Sequence, residues 1–290
     1  MSEYIILTDS SADLTAELVK ELGVEVLPLT FTIKGETHGN YPDNREMDPK
    51  KFYKMLREGE MATTSAVNVG DFTDKMEPFL QSGKDILLLA FSSGLSATYQ
   101  SAKMAAEELS EQYPDRKIYA VDTLSASLGQ GLLVWHAAQH KKAGESLEQV
   151  RDWVEENKLH LCHWFTVDDL HFLKRGGRIS AATAVVGSML SIKPVMHVDD
   201  EGRLVNVTKA RGRAASLTAL VDRMQATAID PGRQMVFISH GDCPDEAKRV
   251  ADDVKKRFGV KKVVLNNVGP VIGAHSGPGT MALFFLGSKR

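Results

Sequence analysis

Short apolar runs alternate with longer amphipathic stretches along this chain, and the runs read as strands. Tyr4–Thr8 is apolar and β-branched and passes into a polar turn, Asp9-Ser10-Ser11. The pattern then predicts a helix from about Thr15 to Leu22, closed by Gly23, and a strand over Val24–Ile33. Asp48-Pro49 starts another helix, with Asp as N-cap and Pro at the first helical position, and Gly59 ends it. Asp71–Gln81 is helical in period. Ile86–Phe91 is a continuous apolar run, the mark of a strand buried on both faces. Helices are expected over Ser96–Gln112, Ser125–Ala143 and Ser146–Asn157, with a strand at Ile118–Val121. The last of these helices opens with Ser146-x-x-Gln149, the spacing of a capping box.

The second half adds a different feature. Leu159–Val167 reads as a strand and Ser180–Leu190 as a helix of small residues. Val195–Val198 and Leu204–Val207 flank Asp199-Asp200-Glu201-Gly202-Arg203, a hairpin with glycine in its turn. A helix (about Ala214–Thr227), a strand (Met235–Ser239), a helix (about Asp245–Phe258) and a strand (Lys262–Leu265) follow. Such alternation predicts an α/β protein. At 290 residues the chain exceeds one typical core, so two α/β domains are expected, 1–157 and 158–290. Each is read as a mostly parallel sheet flanked by helices, the second carrying the antiparallel hairpin.

Composition narrows the function classes. A net charge of −3 gives no global attraction for nucleic acid or anionic membranes, so any anion must be bound by local arrangement. No apolar run approaches the roughly 18 residues of a membrane span. With neither a basic leader nor a cleavage site at Met1-Ser2-Glu3-Tyr4, a cytoplasmic location is expected. Cys162 and Cys243 fit no zinc or disulfide spacing. Phosphate-loop, dinucleotide, zincin and nucleophile-elbow motifs are all missing. His160, Cys162 and His163 lie in a strand whose alternation puts His163 opposite the other two, which argues against a metal. Asp168-Asp169 reads as a helix cap, His240 and Asp242 as loop or cap residues, and His136 with His140 as a solvated helix face.

Four segments point instead to an anion site. Gly269–Thr280 sets one histidine, His275, among four glycines and two prolines, in what reads as a stiff loop lined with backbone N–H groups. Lys174-Arg175-Gly176-Gly177-Arg178-Ile179-Ser180 adds guanidinium groups beside glycines. Thr63-Thr64-Ser65 is placed in a loop between helices. Ser92-Ser93-Gly94-Leu95-Ser96 follows the buried strand, where ligands of parallel α/β sheets collect near helix N-termini. Hydroxyls donate to an anion without bringing charge, which suits a carboxylate held in an apolar pocket.

With Thr8-Asp9-Ser10-Ser11-Ala12-Asp13-Leu14 and the extended run Ser92–Ala102, these segments resemble the DegV family of bacterial lipid-binding proteins. The resemblance implies two α/β domains with a long-chain fatty acid, such as palmitate or oleate, bound between them and no cofactor or metal. It also implies a partner, the catalytic subunit of a fatty acid kinase, which phosphorylates the presented carboxylate in a route toward phospholipid. The family's carboxylate-binding hydroxyls map onto Thr64 or Ser65 and Ser92 or Ser93, with Thr64 and Ser93 preferred, and with His275 beside them. Its phosphotransfer residues map onto Arg178, Arg211 and His275, read together as cations. On this reading the chain is a binding subunit with no catalytic residue of its own. Two departures stand out: Ala66-Val67 where the family often has Gln-Pro, and Ala97 where it often has Gly. The alternatives are a stand-alone acyl-transfer or phosphatase enzyme using His275, and a lipid sensor without a kinase partner.

Overall fold

The computed structural model describes residues 3–180 and 192–290. Its strands are β1 (Tyr4–Asp9), β2 (Glu25–Leu27), β3 (Thr30–Ile33), β4 (Glu36–Gly39), β5 (Ala62–Ser65), β6 (Asp85–Ala90), β7 (Ile118–Asp122), β8 (Leu161–Thr166), β9 (Ile192–Val198), β10 (Leu204–Arg211), β11 (Met235–His240), β12 (Lys262–Asn267) and β13 (Met281–Leu286). The helices are α1 (Ala16–Leu22), α2 (Pro49–Arg57), α3 (Val69–Gln81), α4 (Thr98–Gln112), α5 (Leu128–Lys142), α6 (Leu147–Asn157), α7 (Leu170–Arg175), α8 (Arg213–Thr227), α9 (Pro244–Phe258) and α10 (Pro270–Ser276). All of the helix expected over Ser180–Leu190 except Ser180 lies outside the described residues.

Local chemistry sets several boundaries as the sequence predicts. Asp48 Oδ1 accepts from Lys51 N at 3.0 Å, and Ser146 and Gln149 form a reciprocal capping box. Gly23 takes the left-handed conformation that ends α1. The predicted strand Val24–Ile33 is instead two, β2 and β3. Pro28 lies between them and has no N–H to continue a ladder.

Three sheets result. β2-β1-β6-β7 is four-stranded and all parallel, with β1 and β6 buried along their whole length. β4-β3-β5 is a small antiparallel sheet, so Thr63-Thr64-Ser65 is strand rather than loop. The third sheet has the order β10-β9-β8-β13-β11-β12. The α/β class holds, but the expectation of a mostly parallel second sheet does not. β13 inserts between β8 and β11 and runs antiparallel to both, and β11 with β12 is the one parallel pair described there.

Helix α5 is shared by the two larger sheets. Leu128 to Val134 are all buried, and the core they join contains Leu87 and Leu89 of β6 with Phe165, Phe237 and Phe284 of the third sheet. A helix apolar on every face belongs between layers. Two glycines let it approach both sides: a Cβ on Gly129 would overlap His163 and Phe284, and one on Gly131 would meet the Ala12 carbonyl. Among the described residues no helix is long and apolar enough to cross a membrane.

Candidate functional site

Between β5, α7, α10, the β6–α4 loop and the inner face of the third sheet lies a cavity of about 280 Å³. Most of its wall is apolar, including Phe91, Leu95, Phe165, Val268, Val271 and Phe284. That combination of size and lining is typical of a small-molecule pocket. Besides Ser276 and Thr280, its polar lining falls into two groups.

The first group joins the surface. Register explains why Thr64 belongs to it: Thr64 pairs with the buried Phe31 of β3 and shares its inward face, whereas Thr63 is exposed. Thr64 Oγ1 lies 2.8 Å from His275 Nε2. Exposed Ser65, Ser96 and half-buried Arg178 complete this end. Arg178 Nε donates to the Leu95 carbonyl at 3.2 Å, and one terminal nitrogen donates to the Gly176 carbonyl. The segment around His275 is the short helix α10, not the loop expected from its glycines. Gly269 is its N-cap and Pro270 its first residue. His275 packs on Gly176, where a Cβ would overlap the imidazole Nδ1. Burial, then Arg178 and Arg175, push the His275 pKa down to about 4, so it is neutral at pH 7. Instead of joining the two arginines as a cation, His275 is a neutral hydrogen-bonding group.

The second group is deeper. Ser127 Oγ donates to Asp13 Oδ2 and lies 2.9 Å from Ser239 Oγ. Asp13 Oδ1 also accepts from Gly269 N at 2.9 Å, which joins this group to the start of α10. Burial raises the Asp13 pKa to about 7 against its hydrogen bonds, with a smaller push from Asp9. His163 Nδ1 bonds the Leu161 carbonyl, and its Nε2 accepts from Ala126 N at 3.4 Å. Burial holds this imidazole well below its ordinary pKa, as a neutral group.

The remaining predicted residues lie elsewhere. Ser92 is fully buried, but its hydroxyl donates to the Gly202 carbonyl at 2.8 Å and so fastens the β9–β10 turn to the end of β6. Gly94 fits the same contact, since a Cβ there would strike the Glu201 and Gly202 carbonyls. Ser93 is exposed, with its amide bonded to Asp122, and neither serine lines the cavity. The strand-to-helix turn aims Ser92 at the hairpin and Ser93 at solvent. Ser96, four positions after Ser92 and missed by the sequence reading, is the serine of this loop that lines the cavity. Arg211 is exposed at the end of β10, opposite Ile192, and does not line it.

The other candidates have structural partners. Asp169 caps α7 and Asp168 pairs with Lys193 and Arg213. His240 accepts from Cys243 N, and Asp242 pairs with Arg57. His136 and His140 pack on Trp153. Cys162 and His163 lie on opposite faces of β8, and no group of metal-binding side chains occurs among the described residues.

Comparison with known proteins identifies the family. A family model described as "Uncharacterised protein, DegV family COG1307" matches residues 4–288. The chain belongs to the DegV family. A DegV domain-containing protein of Clostridium perfringens, CPE0026, is 47% identical over 290 residues, covering 100% of this chain and 99% of that one. Among solved DegV structures, a fatty-acid-binding member from Thermus thermophilus has a TM-score of 0.86 at 32% identity, covering 97% of this chain and 98% of that one. DegV of Bacillus subtilis, a fatty acid binding protein, has a TM-score of 0.84 at 28% identity, covering 98% and 99%.

Proposed function

We propose that this DegV protein binds a long-chain fatty acid in the cavity, with its carboxylate at the Thr64–His275 pair, and presents that carboxylate to a separate kinase subunit. The observation that carries the reading is that pair, set at the surface end of a mostly apolar cavity. In the Nε2–H tautomer His275 donates to Thr64 Oγ1, which frees the Thr64 hydroxyl proton for an anion; Ser65 and Ser96 can add donors. The fatty-acid-binding relatives support the choice of ligand. A 16-carbon acid buries about 14 methylenes at ~0.8 kcal/mol each, a gross gain of roughly 11 kcal/mol before association costs. The tail therefore supplies most of the affinity, and the head-group donors offset desolvation of the carboxylate.

The same pair resembles a nucleophile with its base, as a stand-alone acyl-transfer enzyme would need. Its electrostatics oppose that use. A base that takes the Thr64 proton becomes an imidazolium beside Arg178 and Arg175, and those charges already disfavour protonation. No carboxylate hydrogen-bonds His275 among the described residues. The surroundings that weaken a base suit the binding of an anion.

Arg178 is set to steady phosphate charge as it develops, and Arg211, exposed on β10, to meet the kinase. The test is acyl-phosphate formation by lipid-loaded protein with a fatty acid kinase catalytic subunit and ATP. Arg178→Ala and Arg211→Ala should keep lipid affinity within a few-fold and slow product formation. Parallel loss of binding would make the arginines ligands of the carboxylate, and unchanged turnover would remove them from phosphotransfer.

A further inference from the structure

The deeper polar group has a hydrogen-bonding capacity that a plain acyl chain cannot use. Ser127 has one hydroxyl proton, and ionised Asp13 can only accept, so that proton goes to Asp13. The 2.9 Å contact between Ser127 and Ser239 is then made by the Ser239 proton. Ser239 is fully buried and lines the cavity, and its hydroxyl has no other hydrogen-bond partner among the described residues. Its acceptor lone pairs remain unused. Ser127 also holds φ 54 and ψ −147, close to a region otherwise reserved for glycine. Glycine would make that turn without strain, but it has no hydroxyl to link Asp13 to Ser239.

We infer that Ser239, backed by Ser127 and Asp13, is a second recognition point that receives a hydroxyl group carried on the hydrocarbon chain of the ligand. This rests on the fatty-acid reading and adds to it a preference for hydroxylated acids. The polarity of the relay makes the inference specific. With Asp13 ionised the relay offers only an acceptor, so the ligand must donate: a chain hydroxyl qualifies, whereas a ketone or a double bond does not.

The experiment compares binding of stearate, hydroxystearates substituted near the carboxyl, at mid-chain and near the methyl end, and the matching ketostearates. It is run at about pH 8.5, above the range in which Asp13 titrates. One hydroxy isomer should bind roughly two- to tenfold more tightly than stearate, the worth of one net hydrogen bond, and its keto analogue should show no gain. Ser239→Ala should abolish the preference for the hydroxy acid over stearate. If stearate binds and no hydroxy isomer is preferred, the inference falls and the fatty-acid reading stands. A preference shared by the keto analogue, or kept in Ser239→Ala, also overturns it. Binding of none of these acids overturns both. The wild-type comparison of hydroxy with keto acids decides the matter even if the variant does not fold.

Discussion

Thr64 and His275 lie 211 positions apart in the chain, yet their side chains meet at 2.8 Å. One comes from the small antiparallel sheet and the other from α10, between β12 and β13 of the third sheet, so packing of the two parts completes the proposed head-group site. Thr64→Val keeps the shape and removes the hydroxyl. It should weaken fatty-acid binding by about 1.5–3 kcal/mol, the worth of a hydrogen bond to a charged group. Titration with oleate checks this, and unchanged affinity would move the carboxylate elsewhere.

Gly176 provides a test that removes no polar group from the site. Gly176→Ala must displace His275, because the added methyl overlaps its Nδ1. The expected outcome is a loss of oleate affinity comparable to that of His275→Ala, with a stability cost of about 1–3 kcal/mol from overpacking. Wild-type affinity in a folded Gly176→Ala protein would show that the imidazole position is not critical.

Ser92 and Ser93 should behave oppositely. Ser92→Ala deprives the Gly202 carbonyl of its donor at a buried contact, which costs about 1–3 kcal/mol. Ser93→Ala, at an exposed position, should stay within about 0.5 kcal/mol of wild type. Thermal melts separate the two. A reversed order would contradict the structural role given to Ser92.

These serines mark where sequence reading stops. The α/β class and the caps at Asp48 and Ser146 are legible because capping chemistry is local, and the resemblance to the family singles out Thr64, Arg178 and His275, which line the cavity. Which of Ser92, Ser93 and Ser96 faces the cavity depends on the path of one turn, and adjacent hydroxyls look alike in sequence. β5 has no apolar alternation and is a strand because β3 pairs with it. α10 is hidden by its glycines, although Pro270 after Gly269 is a start signal. The burial of Asp13 follows from contacts with residues as distant as Gly269, and no local pattern announces it.

Asp13 should leave a signature in the pH dependence of stability. Its pKa is raised from 3.8 to about 7 in the folded protein, so folding takes up a proton between those values. Its contribution is therefore fully present below the unfolded pKa and is lost as pH rises through about 7. An asparagine at this position would mimic the protonated form, accepting from Gly269 and donating to Ser127. The stability of Asp13→Asn relative to wild type should then rise by about 2–4 kcal/mol between about pH 5 and pH 8.5. His275, whose pKa is lowered, acts in the opposite sense on the absolute profile but cancels in this comparison. Denaturant titrations at the two pH values provide the check, and a constant difference would mean that Asp13 is ionised throughout.

The central claim is that the cavity holds a long-chain fatty acid, and mass spectrometry of lipid extracted from protein purified after bacterial expression tests it most directly. The account predicts about one long-chain fatty acid per chain, with extraction from Thr64→Val markedly poorer because the head-group donor is lost. Repeated extraction without stoichiometric lipid, together with no uptake of added palmitate or oleate, would contradict it.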